Sequence, residues 1–121
     1  MRQFESNHNF EVQIDKDLLI NKTRDFLFRN SFRITGETEI PNGHSLHIQR
    51  GSETALRLLG ALFTTSKQLP IKGNIRLMNN RSVEFIISSD IVGIGSSFGL
   101  ENKFTNCFKD IINNYQADCL R

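Results

Sequence analysis

The chain has 121 residues, 38% of them hydrophobic, with ten phenylalanines and a formal net charge of +2. That length suits one domain, residues 1–121, with a core large enough to hold together without a metal or disulfide, and the composition excludes intrinsic disorder. No apolar run approaches the roughly 20 residues of a membrane span, and MRQFESNHNF lacks the apolar stretch of a secretory signal, so the expected compartment is the cytoplasm.

In chain order, Asn9 to Ile14 alternates Phe10, Val12 and Ile14 with polar residues, the period-2 pattern of a half-buried strand. Asp15 then stands at a helix N-cap position. Leu19, Thr23, Phe26 and Leu27 share one face of the following segment, which predicts an amphipathic helix over 16–31. A strand follows in which Phe32, Ile34, Gly36, Thr38 and Ile40 share the core face, leaving Arg33, Thr35, Glu37 and Glu39 outside. The turn IPNGH suits a three-residue hairpin loop, with Gly43 in the left-handed position. That register pairs Ile40 with His44, Thr38 with Leu46 and Gly36 with Ile48, and it sets Glu37 beside His47.

The segment SETALRLLGALFTTSKQLP, an apolar insert over 53–69, comes next. Ala55, Leu56, Leu59, Leu62 and Phe63 form a helical stripe. Gly60 weakens a helix, and Leu56, Leu58 and Leu62 also fit an extended strand, so both readings stay open. Residues 71–89 then predict a second hairpin. A three-residue loop at Asn79–Arg81 pairs Leu77 with Val83, Ile75 with Phe85 and Gly73 with Ile87, and it sets Arg76 against Glu84. A two-residue loop would place Arg76 against Val83, so the longer loop is preferred. Finally Leu100, Phe104, Cys107, Phe108, Ile111 and Tyr115 follow helical spacing and predict a helix over 100–117.

Cys107 and Cys119 fall in or beside that last helix, about 18 Å apart along it. A disulfide requires Cα atoms within roughly 7 Å. They cannot pair. Cys107 is expected in the core, and Cys119 as an incidental thiol near a fraying end.

The element order is therefore β-α-β-β-(insert)-β-β-α, an α+β chain in two layers: an antiparallel sheet with both helices on one face. In element order alone this resembles the arrangement shared by TATA-binding-protein halves and helix-grip ligand binders. The resemblance implies a two-layer fold and, for a helix-grip protein, a hydrophobic pocket.

Four stretches are candidates for function. GSSFG at 95–99 has the G-x-S-x-G form of a hydrolase elbow, but His8, His44 and His47 all precede Ser97, and the predicted sheet is antiparallel. No catalytic residue is therefore assigned, and the stretch reads as a turn that caps the last helix. GIGSSFG lacks both the third glycine of a dinucleotide loop and the lysine of a P-loop. His44 and His47 are three apart on a strand and so face opposite sides. Neither a metal nor a cofactor is expected.

The charge is unevenly spread, and residues 50–81 hold six cations against Glu53 alone. Arg50, Arg57, Lys72 and Arg76 are the candidate contacts to an anion or a nucleic acid. The aromatics fall on core positions and Glu84 offsets part of the patch, so nucleic acid ranks low as a partner. The apolar insert offers Leu56, Leu59, Leu62 and Phe63 as an interaction surface. The preferred reading is a small non-catalytic binding module that meets a second copy or a protein partner there. A helix-grip pocket for a hydrophobic small molecule is the main alternative.

Overall fold

A computed structural model of the chain describes residues 5–51, 69–89 and 100–119. The described residues form an α+β fold with five strands and two helices: β1 (Glu5–Glu11), α1 (Lys16–Arg29), β2 (Arg33–Ile40), β3 (Gly43–Arg50), β4 (Ile71–Met78), β5 (Ser82–Ser89) and α2 (Leu100–Cys119). The strands form one sheet in the order β1-β5-β4-β3-β2, and every neighbouring pair is antiparallel.

The first strand begins earlier than its apolar alternation suggests. Ser6 and His8 share a face with Phe10, and their polarity hides the period from the sequence. Val12 lies just beyond β1 but is buried, and its N–H donates to the Arg81 carbonyl at 2.8 Å. Asp15 occupies the α1 N-cap with extended backbone, although its side chain makes no capping bond.

The end of α1 is tightly specified. Ser31 has φ 66°, the Phe32 N–H donates to Leu27 O at 2.9 Å, and the Ser31 N–H to Phe28 O at 3.2 Å. These paired bonds are a Schellman motif with serine where glycine is usual, and they turn the chain directly into β2.

The core lies between the sheet and the helices. Leu46, Ile75, Leu77 and Phe85 from the sheet, Leu19, Phe26 and Leu27 from α1, and Phe104 and Tyr115 from α2 are all fully or almost fully buried. Tyr115 joins the three parts. Its ring stands edge-on to Phe26 at 5.3 Å and to Phe85 at 5.2 Å. Such pairs add about 0.5–1.5 kcal/mol each beyond their buried area. Both helices thus press on the same side of the sheet.

Cys107 is buried, as its place in the stripe implies. Cys119 is buried too, at 0% exposure, because α2 runs through to it and lays its thiol near the Lys22 carbonyl at 3.5 Å. Cys119 is a free thiol, but the frayed helix end expected around it is corrected to an ordered last turn.

The β4–β5 hairpin has the register its pattern predicts. Leu77 faces Val83, Ile75 faces Phe85, Gly73 faces Ile87, and Arg76 lies 3.8 Å from Glu84. Arg81 takes φ 63°, which closes the three-residue loop.

The β2–β3 hairpin does not follow its expected register. Its loop is the two residues Pro41–Asn42, so Ile40 faces Gly43, and the register shifts at a bulge between Ile34 and Gly36. Gly43 is not in the left-handed region. It sits inside β3, where a Cβ would stand 2.2 Å from the Leu77 carbonyl oxygen. Close approach, not turn conformation, calls for the missing side chain. The one-residue slip sends Glu37 and Glu39 to the helix side, opposite Leu46 and His44, and Thr38 and Ile40 to the other side.

Candidate binding surface on the open face of the sheet

Alternation along each strand puts the apolar residues toward the helices and leaves a second face opposite. On β2, β3 and β4 the residues of that face include Arg33, His47, Gln49, Lys72, Asn74 and Arg76. Glu84 lies on the same face of β5, and Glu5 and Glu11 on the same face of β1. The described residues are therefore sorted by charge, with three cations over β2–β4 and three carboxylates over β1 and β5.

The slip in β2 creates this division. In the register expected from the sequence, Glu37 and Glu39 would stand on the open face beside His47. Instead Glu37 turns to the helix side, where its Oε1 accepts bonds from Arg24 Nη2 at 2.6 Å and pairs with His44 Nε2 at 2.9 Å. The hydrogen bond from His44, followed by that from Arg24, holds the Glu37 carboxyl below its ordinary range. The expected Glu37–His47 contact is replaced by Glu37–His44.

A groove of about 430 Å³ runs over this face between Thr35, His47, Gln49, Lys72, Asn74 and Ile86. Ile86 supplies an apolar floor among polar walls. The Ser45 hydroxyl donates to Asn74 Oδ1 at 2.7 Å, which leaves the amide nitrogen of Asn74 as the end available to a ligand. The Thr35 hydroxyl is directed to the His47 carbonyl at 3.3 Å and steadies the bulged residue. Lysine, histidine and amide nitrogens make this a donor-rich groove, suited to phosphate, carboxylate or carbonyl oxygens.

The four cations singled out from the sequence do not come together. Lys72 and Arg76 share the open face with Asn74 between them. Arg50 lies on the other side of the sheet, only 3% exposed. Its Nη1 donates to Asn30 O at 3.1 Å, its Nη2 reaches Cys107 Sγ at 3.2 Å, and its guanidinium lies 4.5 Å from the centre of the Phe32 ring. Burial lowers its pKa, an effect the neighbouring Cys107 opposes. Arg50 ties the end of β3 to α1 and α2. Arg57 lies outside the described residues, as do Leu56, Leu59, Leu62, Phe63 and Ser97.

Arg33 and His47 already face outward in the register expected from the sequence, and Gln49 shares the alternation of His47. What the hydrophobic pattern does not mark is the bulge that takes Glu37 and Glu39 off this face. Among the described residues, no helix is long and apolar enough to cross a membrane. Compared with known proteins, the chain matches no family model and no curated protein sequence.

Proposed function

We propose that the protein is a non-catalytic binding module whose open sheet face takes an anionic chain, a single-stranded nucleic acid. One observation carries this reading: Glu37 and Glu39 leave the face, so β2–β4 present Arg33, Lys72 and Arg76 with no carboxylate among their described residues there. Lys72 and Arg76 are four residues apart on one strand, about 13 Å. An extended polyanion lying along β4 would meet both, and the carboxylates of β1 and β5 would keep it from drifting across the sheet. Among the described residues of the face no phenylalanine or tyrosine is interleaved with the cations, which favours phosphate contact over base stacking, and so weak sequence preference.

The test is anisotropy of labelled single-stranded oligonucleotides across a salt series. Each phosphate contact contributes about −0.7 to the slope of log K against log salt. Replacing both Lys72 and Arg76 with alanine should therefore flatten the slope by about 1.4 and weaken all sequences alike. Absence of binding at low salt, or an unchanged slope in the double variant, refutes the reading.

Self-association through Leu56, Leu59, Leu62 and Phe63 is a second reading, supported by the apolar excess of LRLLGALF. Replacing Leu59 and Leu62 with glutamate should lower the mass in solution, and an unchanged mass counts against it. An internal pocket for a hydrophobic small molecule gains little support from the described layer, where Tyr115, Phe26, Phe85 and Phe104 fill the space. The likeness to TATA-binding-protein halves and helix-grip proteins rests on element order, and a cytoplasmic setting on the two free thiols.

A further inference from the structure

The two edges of the sheet are finished differently. On the β2 side the bulge at Thr35 breaks the ladder, and Arg33, Glu37 and Glu39 bring charge to the edge. Both devices discourage another strand from pairing there. On the β1 side, seven consecutive residues pair with β5 without a shift, and the strand contains neither proline nor lysine.

The orientation of the β1 backbone follows from one bond. Val12 N–H donates to Arg81 O across the sheet, so the even-numbered residues of the strand direct N–H and C=O toward β5. The groups of Asn7 and Asn9 then point away from the sheet, and both residues are exposed. Beside this edge a groove of about 230 Å³ lies between β1 and α2. Phe108 and Ile112 form its apolar floor and Lys109 contributes to its wall. Ser6 and His8 line it but hydrogen-bond to each other, which satisfies much of their polarity.

We infer that β1 accepts an extended peptide of a partner protein as a sixth strand, one that alternates apolar with basic residues. Main-chain bonds to Asn7 and Asn9 hold it, and the alternation decides which peptide fits. Apolar side chains drop toward Phe108 and Ile112, where Lys109 repels a cation. The intervening side chains turn to the opposite face, where Glu5 and Glu11 flank the strand and Glu84 stands behind. Lysine or arginine is complementary there. A second copy of β1 fits poorly, because antiparallel pairing about His8 would set Glu5 against Glu11 at both ends.

The test uses three synthetic peptides: alternating valine and lysine, the same residues in scrambled order, and alternating valine and glutamate. The valine–lysine peptide should bind at least tenfold more tightly than either of the others and slow amide exchange at Asn7 and Asn9. Exchanging Glu5 and Glu11 for lysine should reverse the preference toward the glutamate peptide. Asn9→Pro removes an outward N–H while leaving the β5 ladder intact, and should cost at least tenfold in affinity. Equal binding of the scrambled peptide, no binding of any peptide, or unchanged amide exchange at Asn7 and Asn9 overturns the inference. The exchange readout uses the unaltered protein, so it decides the matter even if the proline variant does not fold.

Discussion

The hydroxyls of Thr23 and Tyr115 meet at 2.9 Å inside the core, and both residues have no exposed surface. Thr23→Val and Tyr115→Phe each remove one hydroxyl while keeping the shape of the side chain. Leaving a buried polar partner unsatisfied costs about 1–3 kcal/mol, whereas removing both partners together can be nearly neutral. The two single variants should differ. When Tyr115 loses its hydroxyl, Thr23 can turn its own toward the carbonyl of Leu19 one helical turn back. When Thr23 is replaced, the phenol sits at a fixed position on a ring wedged between Phe26 and Phe85. Thr23→Val should therefore cost about 2 kcal/mol and Tyr115→Phe about 1. The double variant should cost at least about 1 kcal/mol less than the sum of the two. For a domain of this size that coupling corresponds to roughly 4 °C in melting temperature. Urea denaturation of the four proteins, with unchanged m-values, completes the cycle. Additive costs would refute the claim that this bond couples α1 to α2.

Three other outcomes follow from single residues. Ser31 holds φ 66° in the Schellman motif, so Ser31→Gly should stabilise the fold by up to about 1 kcal/mol in the same denaturation assay. Gly43→Ala would push a Cβ to 2.2 Å from the Leu77 carbonyl oxygen and 2.9 Å from Met78 Cα, so it should destabilise by about 3 kcal/mol. Burial pushes the Cys119 thiol up to about 12, while the unfolded thiol titrates at about 8.5. A raised folded value means that this contribution to stability is complete below about pH 8.5 and is lost as pH rises toward 12. Stability measured from pH 7 to 10 should fall on the alkaline side, and Cys119→Ala should flatten that fall.

The parts of the fold that were legible in the sequence are those where pattern and turn chemistry allow one answer. For β4–β5, only the three-residue loop pairs apolar with apolar and Arg76 with Glu84, so the register was readable. For β2–β3, Pro41-Asn42-Gly43 serves a loop of either length. The bulge at Thr35 then reverses the faces partway along the strand, and no alternation survives to betray it. The same fact limits the site. Lys72, Asn74 and Arg76 were readable as one outward row and Arg33 and His47 as outward neighbours, whereas the departure of Glu37 and Glu39 from that face follows only from the slip. The placement of Arg50 was available in principle: it continues the row His44, Leu46, Ile48, whose members face the helices. Its charge drew attention outward, while its position in the alternation placed it inside.

Thr35 decides more of the surface than any charged residue on it. A strand without the extra residue could keep Ile34 opposite Ile48 only by putting Glu37 and Glu39 on the open face, close to the row of Lys72 and Arg76. It would also turn Thr38 and Ile40 toward α1, where Arg24 would lose its carboxylate partner. The bulge leaves one residue outside the ladder, a local loss offset by the Thr35 hydroxyl bond to His47 O and by the two contacts Glu37 gains on the helix side. The same irregularity spoils β2 as an edge for pairing, while β1 keeps an unbroken one. One inserted residue thus takes both carboxylates of β2 off the face over β2–β4 and breaks the β2 edge, while β1 keeps a regular ladder.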